Sequence, residues 1–534
     1  MKTKIISTFA IMLSALSLTA CSDDDFGADA PRDWNGTTTF FASTDEKGFQ
    51  TFYNPAIGRC GDPMPFYDSR TGDFKVLYLQ EYDNNNTYCY HPFWGVSTKD
   101  GANYESLGEV LPTGKSSLEQ DAALGTGCCV YNEKDNLYYI YYTGHNPNCA
   151  NVEVVMRATS PDFKTWTKDN EWMLKGNDYG YSTVDFRDPQ VFMAEDGLYH
   201  MVISSNLKFA EFTSSDLKNW KHLGQFPMIW DRMLECPDIF KMGNYWYMVY
   251  SEGFRASWSR KVKYMMATTY EGLKACFNDP GANWPKDGHE GVLDSRAFYA
   301  GKTASNGTDR YIWGWCPFRT GATIHEKNVN VGAGGEPNWS GALVCHKIIQ
   351  HSDGTLTLGE VPAMTAKYDQ QQDIKVMASN GTVSGGSPAG ATTLSGDDAY
   401  VLYNRLGTHN HISLKVTTSN NWDKFGISLV RGTDSKKYYT MVFNPENENW
   451  RKVNFEQEGE EGKGFIEGID SYGFDRPADN VYKIDIYTDN SVMVMYVNDH
   501  VCYTNRIYGI QKNCWSVNNY GGSVTVSDVK VSQY

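Results

Sequence analysis

One unit recurs along this chain, and the recurrence constrains the fold more than composition does. Five segments each place an Asp or Gly turn before an aromatic, β-branched strand: Phe74–Gln80, Leu137–Tyr142, Leu198–Ile203, Tyr245–Tyr250 and Arg310–Trp315. Their starts lie roughly 47 to 65 residues apart, the length of about four strands with their loops. Five such units within about 300 residues predict a five-bladed β-propeller. A single irregular sandwich would not require the unit to repeat. Helical periodicity is weak throughout, so the expected fold class is all-β.

Upstream of each strand, by about 10 to 12 positions, stands a chemically notable residue. These are Asp62 in Cys60-Gly-Asp-Pro-Met64, Thr126 in Gly125-Thr-Gly127, Asp188 in Phe186-Arg-Asp-Pro189, Glu235 in Glu235-Cys-Pro-Asp238 and Tyr299 in Phe298-Tyr-Ala300. In a propeller the innermost strand of each blade begins near the central funnel, so equivalent offsets bring side chains from different blades together. Three carboxylates are thereby expected in one pocket. An Asp-Pro pair alone reads as a turn; three acidic motifs at matching offsets do not reduce to that.

From about Gln370 the character changes to alternating strands with Asn, Asp and Gly turns, such as Tyr400–Tyr403, Ile412–Val416, Phe425–Leu429 and Val492–Val497. That spacing predicts a β-sandwich, entered through the Gly-, Ser- and Thr-rich stretch from Ser379 to Gly396. The domain reading is therefore a propeller over 36–368 and a sandwich over 369–534.

The front end has its own signature. Met1-Lys-Thr-Lys4 is basic, and the apolar run Ile5–Leu18 has the length of a signal-peptide core, too short to span a bilayer. It ends in Leu18-Thr19-Ala20-Cys21, which resembles the lipobox of bacterial lipoproteins. Residues 1–21 read as a lipoprotein signal with lipidation at Cys21, and 22–35 as an acidic, flexible tether. The expected location is the cell envelope of a Gram-negative bacterium, at the outer membrane and surface-exposed or else periplasmic, with membrane contact through the lipid. A formal charge of −16 argues against nucleic acid and favours a neutral substrate. Twelve cysteines include Cys21 and leave eleven, an odd number. No Cys/His set has zinc spacing, the adjacent Cys128 and Cys129 fit a packed strand, and no metal or cofactor is expected.

Taken together these motifs resemble glycoside hydrolase family 32, the invertases, inulinases and levanases. Members carry a nucleophile in Asn-Asp-Pro, a transition-state stabiliser in Arg-Asp-Pro and an acid/base in Glu-Cys-Pro. By that resemblance Asp62 is the nucleophile, Asp188 the stabiliser and Glu235 the acid/base, in the same chain order. The resemblance also implies substrate contacts from Gln80, Trp94, Thr126, Arg187, Tyr299 and Trp315, and it extends through Trp339-Ser-Gly-Ala-Leu343 to the end of the chain. Two departures stand out. The Asn before the nucleophile is Gly61, and the Asn-Gly after the motif is Met64-Pro65.

The implied activity is retaining hydrolysis of β-D-fructofuranosyl bonds in fructans or sucrose-type fructo-oligosaccharides. One carboxyl must protonate the leaving oxygen while another attacks the anomeric carbon. Asp62 is assigned the attack and Glu235 the proton; Asp238 orients the Glu235 loop, and His91 and His145 are read as loop residues. Two rivals stay in view: an inverting, family 43-like arabinan or xylan hydrolase, and a glycan-binding propeller without catalysis. Product stereochemistry separates the first, and sugar binding without turnover would identify the second.

Overall fold

The computed structural model describes residues 48–82, 91–227, 234–252, 261–277, 291–295, 297–317, 339–385, 390–421, 423–431, 437–444, 452–456, 470–473, 476–506 and 514–534. The expected signal segment 1–21 with Cys21, the expected tether 22–35, and residues 83–90 and 318–338 lie outside these residues.

The described part is all-β, with short helices only at Tyr270–Ala275 and Pro362–Thr365 and one 3-10 turn at Gly176–Tyr179. Its first portion is a succession of up-and-down antiparallel meanders. The first holds β1 (Arg59–Asp68), β2 (Asp73–Glu81), β3 (Phe93–Thr98) and β4 (Glu105–Leu111). Then come β5 (Ala123–Asn132), β6 (Leu137–His145), β7 (Glu153–Ser160) and β8 (Thr167–Lys175). The third has β9 (Arg187–Met193), β10 (Tyr199–Ser205), β11 (Lys208–Ser214) and β12 (Lys221–Gln225). The fourth has β13 (Leu234–Met242), β14 (Tyr245–Glu252) and β15 (Val262–Ala267), and the last has β16 (Tyr299–Ser305), β17 (Arg310–Pro317), β18 (Gly341–Gln350) and β19 (Leu356–Gly359).

The repeated aromatic segments are the second strands, β2, β6, β10, β14 and β17. They read as near-continuous apolar runs because the meanders stack and bury both faces: Tyr138, Tyr139, Tyr141, Tyr142, Tyr247 and Tyr250 are all closed off from solvent. Burial then falls outward, and the fourth strands β4 and β12 alternate with exposed positions. The hairpin entering each second strand contains a left-handed residue, Gly72, Asn136, Gly197, Gly243 or Gly307, which is the turn chemistry that the sequence advertises.

The first strands form a closed ring. β1 packs beside β5, β5 beside β9, β9 beside β13, β13 beside β16, and β16 beside β1. β18 also meets β1, with Cys60 opposite Gly341, so the last meander is tied to the first.

After the helix Pro362–Thr365 the chain builds a β-sandwich. The long strand Thr392–Tyr403 turns its corner, pairing through Thr392–Ser395 with Ser523–Val526 and through Tyr400–Tyr403 with Trp515–Asn518. Its core includes Leu394, Ile412, Phe425, Ile484 and Trp515, together with Met493 and Met495. The outer face of the same strands joins the meanders: Tyr487, Val492, Val494, Tyr496 and Cys502 share one apolar cluster with Phe74, Trp313 and Leu343. Polar ties reinforce it. Asp489 Oδ2 accepts the backbone N–H groups of Gln50, Thr51 and Phe52, and the buried Arg506 donates to the carbonyls of Cys316 and Pro317. Cys60, Cys128, Cys129, Cys149, Cys236, Cys276, Cys345 and Cys502 are free thiols, and Cys128 and Cys129 lie on β5, whereas Cys21 and Cys89 lie outside the described residues.

Candidate active site

Each first strand breaks register at its inner end. Gly61-Asp62 bulge opposite Leu79, Thr126 opposite the Thr143–Tyr142 step, Asp188-Pro189 opposite Ile203, Cys236-Pro237 opposite Tyr250, and Ala300-Gly301 opposite Gly314. A bulge adds one residue against its partner and re-aims the side chains beside it. In three strands it contains a non-glycine residue in the left-handed region, Asp188 (φ 60°), Cys236 (φ 51°) and Ala300 (φ 54°). These uncommon conformations coincide with the place where the acidic groups gather.

They gather in a cavity of about 250 Å³ lined by Asp62, Asp188, Glu235, Arg187, Thr126 and Trp339, among others. A larger hollow of about 630 Å³ lies between Phe49, Tyr104, Lys367 and Tyr534; it contains none of these carboxylates, so the smaller cavity is the candidate site.

Asp62 accepts hydrogen bonds on both oxygens, from Thr126 Oγ1 at 2.6 Å and Trp315 Nε1 at 2.8 Å. Glu235 is held on both as well, by Arg187 at 2.9 Å and by the Tyr299 hydroxyl at 2.7 Å. The Tyr299 and Trp315 rings stand 5.5 Å apart, so two adjoining buried rings hold the two carboxylates side by side. Asp188 is buried, accepts the Cys236 N–H at 2.9 Å, and is anchored through its own N–H to Thr143 Oγ1 at 3.0 Å. Burial is the main cause that pushes its carboxyl up to about 7; Arg187 opposes the rise, and Glu235 and Asp62 add to it. Burial also works against the charge of Arg187, but Glu235, Glu153 and Asp188 outweigh it and hold the guanidinium well above its usual range.

Several expected residues take other places. Gln80 is fully buried and its amide donates to the Ile57 carbonyl at 2.5 Å, away from the cavity lining. Trp94 stands edge-on to Tyr82 in the first meander, also off the lining. Tyr299 and Trp315 are closed to solvent and touch carboxylates, so they form the wall behind the cavity rather than its surface. Conversely, His91 and His145, read as loop residues, line the cavity; His145 ends β6, and the His91 ring lies tilted against Trp339 with ring centroids 4.5 Å apart. Glu153 and Thr143 also line it, and no motif marks either. Asp238 ties β13 to its neighbours, accepting from Gln190 and from the Thr303 N–H and hydroxyl.

The departures at the nucleophile motif have a steric reason. A Cβ on Gly61 would come within 2.5 Å of the Trp339 ring, so the indole occupies the space that a larger residue before Asp62 would need. Met64 points into the core, where its sulfur faces the Gly127 N–H at 3.1 Å.

Residues 53–359 match the model of the glycosyl hydrolases family 32 N-terminal domain, and residues 354–531 match that of the GH32, BT1760-like, C-terminal domain. A β-fructofuranosidase of Arabidopsis thaliana, insoluble isoenzyme CWINV2, is 24% identical over 330 residues, covering 55% of this chain and 53% of its own length; the chain thus spans about half the length of that curated relative. Among solved structures, the exo-inulinase of Aspergillus awamori superposes with a TM-score of 0.67 at 17% identity, covering 91% of this chain and 97% of that one. Fructan 1-exohydrolase IIa of Cichorium intybus, solved in complex with 1-kestose, gives 0.65 at 15% identity over 91% and 98%. These likenesses establish the architecture, a β-propeller followed by a β-sandwich.

Proposed function

The chain belongs to glycosyl hydrolase family 32, and from that premise we propose that it is a retaining β-fructosidase acting on fructans or fructo-oligosaccharides, on a five-bladed propeller whose blades are the meanders β1–β4, β5–β8, β9–β12, β13–β15 and β16–β19. One observation carries the reading. Asp62 and Glu235 stand in one small cavity, each held on both oxygens by a different donor pair.

Asp62, fixed by Thr126 and Trp315, attacks the anomeric carbon and forms a fructosyl-enzyme. Glu235, braced by Arg187 and Tyr299, gives its proton to the leaving oxygen and then takes one from the incoming water. Asp188 accepts hydrogen bonds from ring hydroxyls as positive charge develops, a contact that strengthens on the way to the transition state.

Cys21 carries the lipid that holds the protein to the cell envelope, residues 22–35 are the tether, and the propeller and sandwich divide near 368. Proton NMR of the first product released from sucrose, inulin and levan tests the enzymatic reading. Fructose released with retained configuration at the anomeric carbon is expected. Inversion would favour the family 43-like rival, and binding without turnover the glycan-binding one.

A further inference from the structure

Arg187 is shared. One terminal nitrogen donates to Glu235 Oε1 at 2.9 Å, while the other donates to Asp185 at 2.7 Å and to Glu153 Oε2 at 3.2 Å. Of these anchors Asp185 is the more exposed, at 33%, and Glu153 the more enclosed, at 11%. Glu153 is itself pinned, since the same oxygen accepts the Phe186 N–H at 3.1 Å, and its other oxygen lies 3.4 Å from His145 Nδ1. It thus grips both the backbone just before Arg187 and the guanidinium itself. Burial alone would raise the Glu153 carboxyl, but His145 and Arg187 hold it below the usual range.

We infer that Glu153 is a positioning residue for the acid/base: standing on β7, it fixes how Arg187 on β9 meets Glu235 on β13. The inference rests on the β-fructosidase reading above. Among the described residues, the titratable groups that face this junction are His145 on β6, Asp185 before β9, Asp188 on β9, Asp62 on β1, Cys236 on β13, Tyr299 on β16 and His91 before β3. Each carboxylate on Arg187 takes up part of one positive charge. With Glu153 neutral, more of that charge falls on Glu235 and a negative neighbour is gone. Both changes favour the ionised acid/base over its proton-carrying form.

The test is the pH dependence of kcat and KM for the wild type, Glu153→Gln, Glu153→Asp and His145→Asn on one fructo-oligosaccharide. Glu153→Gln is expected to move the alkaline limb of kcat to lower pH by about one unit, with KM nearly unchanged at the optimum. Glu153→Asp should restore most of the displacement, and His145→Asn should move the limb by less. A limb that stays in place while thermal stability falls would mean a structural role only, and a raised KM with an unmoved limb would mean direct substrate contact; either result overturns the inference. A wild type inactive on every fructan would overturn the β-fructosidase reading instead, and this role with it.

Discussion

Replacing Asp188 by Asn should stabilise the folded protein at neutral and alkaline pH. The carboxyl sits at about 7 in the fold against an ordinary 3.8, chiefly because it is buried. The folded state therefore binds one more proton than the unfolded chain between those values. Because the folded value is the raised one, its contribution is present in full below about pH 3.8 and is lost as pH climbs towards 7. The slope is about 1.4 kcal/mol per pH unit, and over about three units it amounts to roughly 4 kcal/mol. Asn carries no charge, and its carbonyl can still accept the Cys236 N–H that Asp188 accepts at 2.9 Å. Urea titrations of both proteins from pH 4 to 8 should give curves that nearly meet at pH 4 and diverge to about 2–4 kcal/mol in favour of Asp188→Asn at pH 8. The titration belongs to the whole carboxylate cluster, yet Asp188 is its most buried member, so its removal must flatten the slope. Parallel curves across this range, or a variant less stable than wild type at pH 8, would refute the reasoning. Turnover should fall in the same variant, with kcat lowered more than KM is raised.

Three further outcomes follow from the same site and core, and a fourth from the Leu18–Cys21 motif. Asp62→Ala should abolish turnover on every substrate, whereas Glu235→Ala should keep activity on substrates whose leaving group needs no proton, with a burst and a slow phase that azide accelerates; equal behaviour on good and poor leaving groups would count against the assignment. Gly61→Asn, which restores the residue usual in the family, should collide with Trp339 and destabilise the protein by about 1–3 kcal/mol in thermal melts, and Trp339→Ala should recover part of that loss. Truncation near residue 368 should leave an aggregating propeller, because it strips Tyr487, Val492, Val494 and Tyr496 from a shared core; a soluble, active fragment on gel filtration would contradict this. Cys21→Ala should move the protein from the membrane to the soluble fraction, and unchanged fractionation would remove the lipid anchor.

The sequence made the meanders legible where burial and turn chemistry agree. A second strand enclosed on both faces must be apolar along its length, and the hairpin before it needs a left-handed residue, so both signals survive in one sequence. Another repeat went unread. Thr98-Lys-Asp100, Ser160-Pro-Asp162 and Ser214-Ser-Asp216 close the turn after each third strand in the first three meanders. The hydroxyl and the carboxylate cap the following N–H groups, and Gly101, Phe163 or Leu217 stands in the left-handed region. Polar turn residues look alike whether or not they recur, so this spacing stands out only once the strands are known.

The site was legible by type but not by register. Counting back from each aromatic strand finds Asp62, Asp188, Glu235 and Tyr299, yet these are not equivalent positions. The ladder aligns Arg187 opposite Ser204, Glu235 opposite Ser251 and Tyr299 opposite Trp315, which places Asp188 with Cys236 and Ala300, and Asp62 one residue further on. In a regular strand a one-residue offset turns a side chain to the opposite face. It is the bulges that let three carboxylates from non-equivalent positions face one cavity, and a bulge has no fixed residue pattern. Glu153, Thr143 and His145 were missed for a related reason: they come from the second and third strands of one meander, where the sequence records only a buried β-pattern. Their part in the site follows from the Asp188 N–H resting on Thr143 and from Arg187 reaching across to Glu153, contacts that exist only once β9 is docked against β6 and β7.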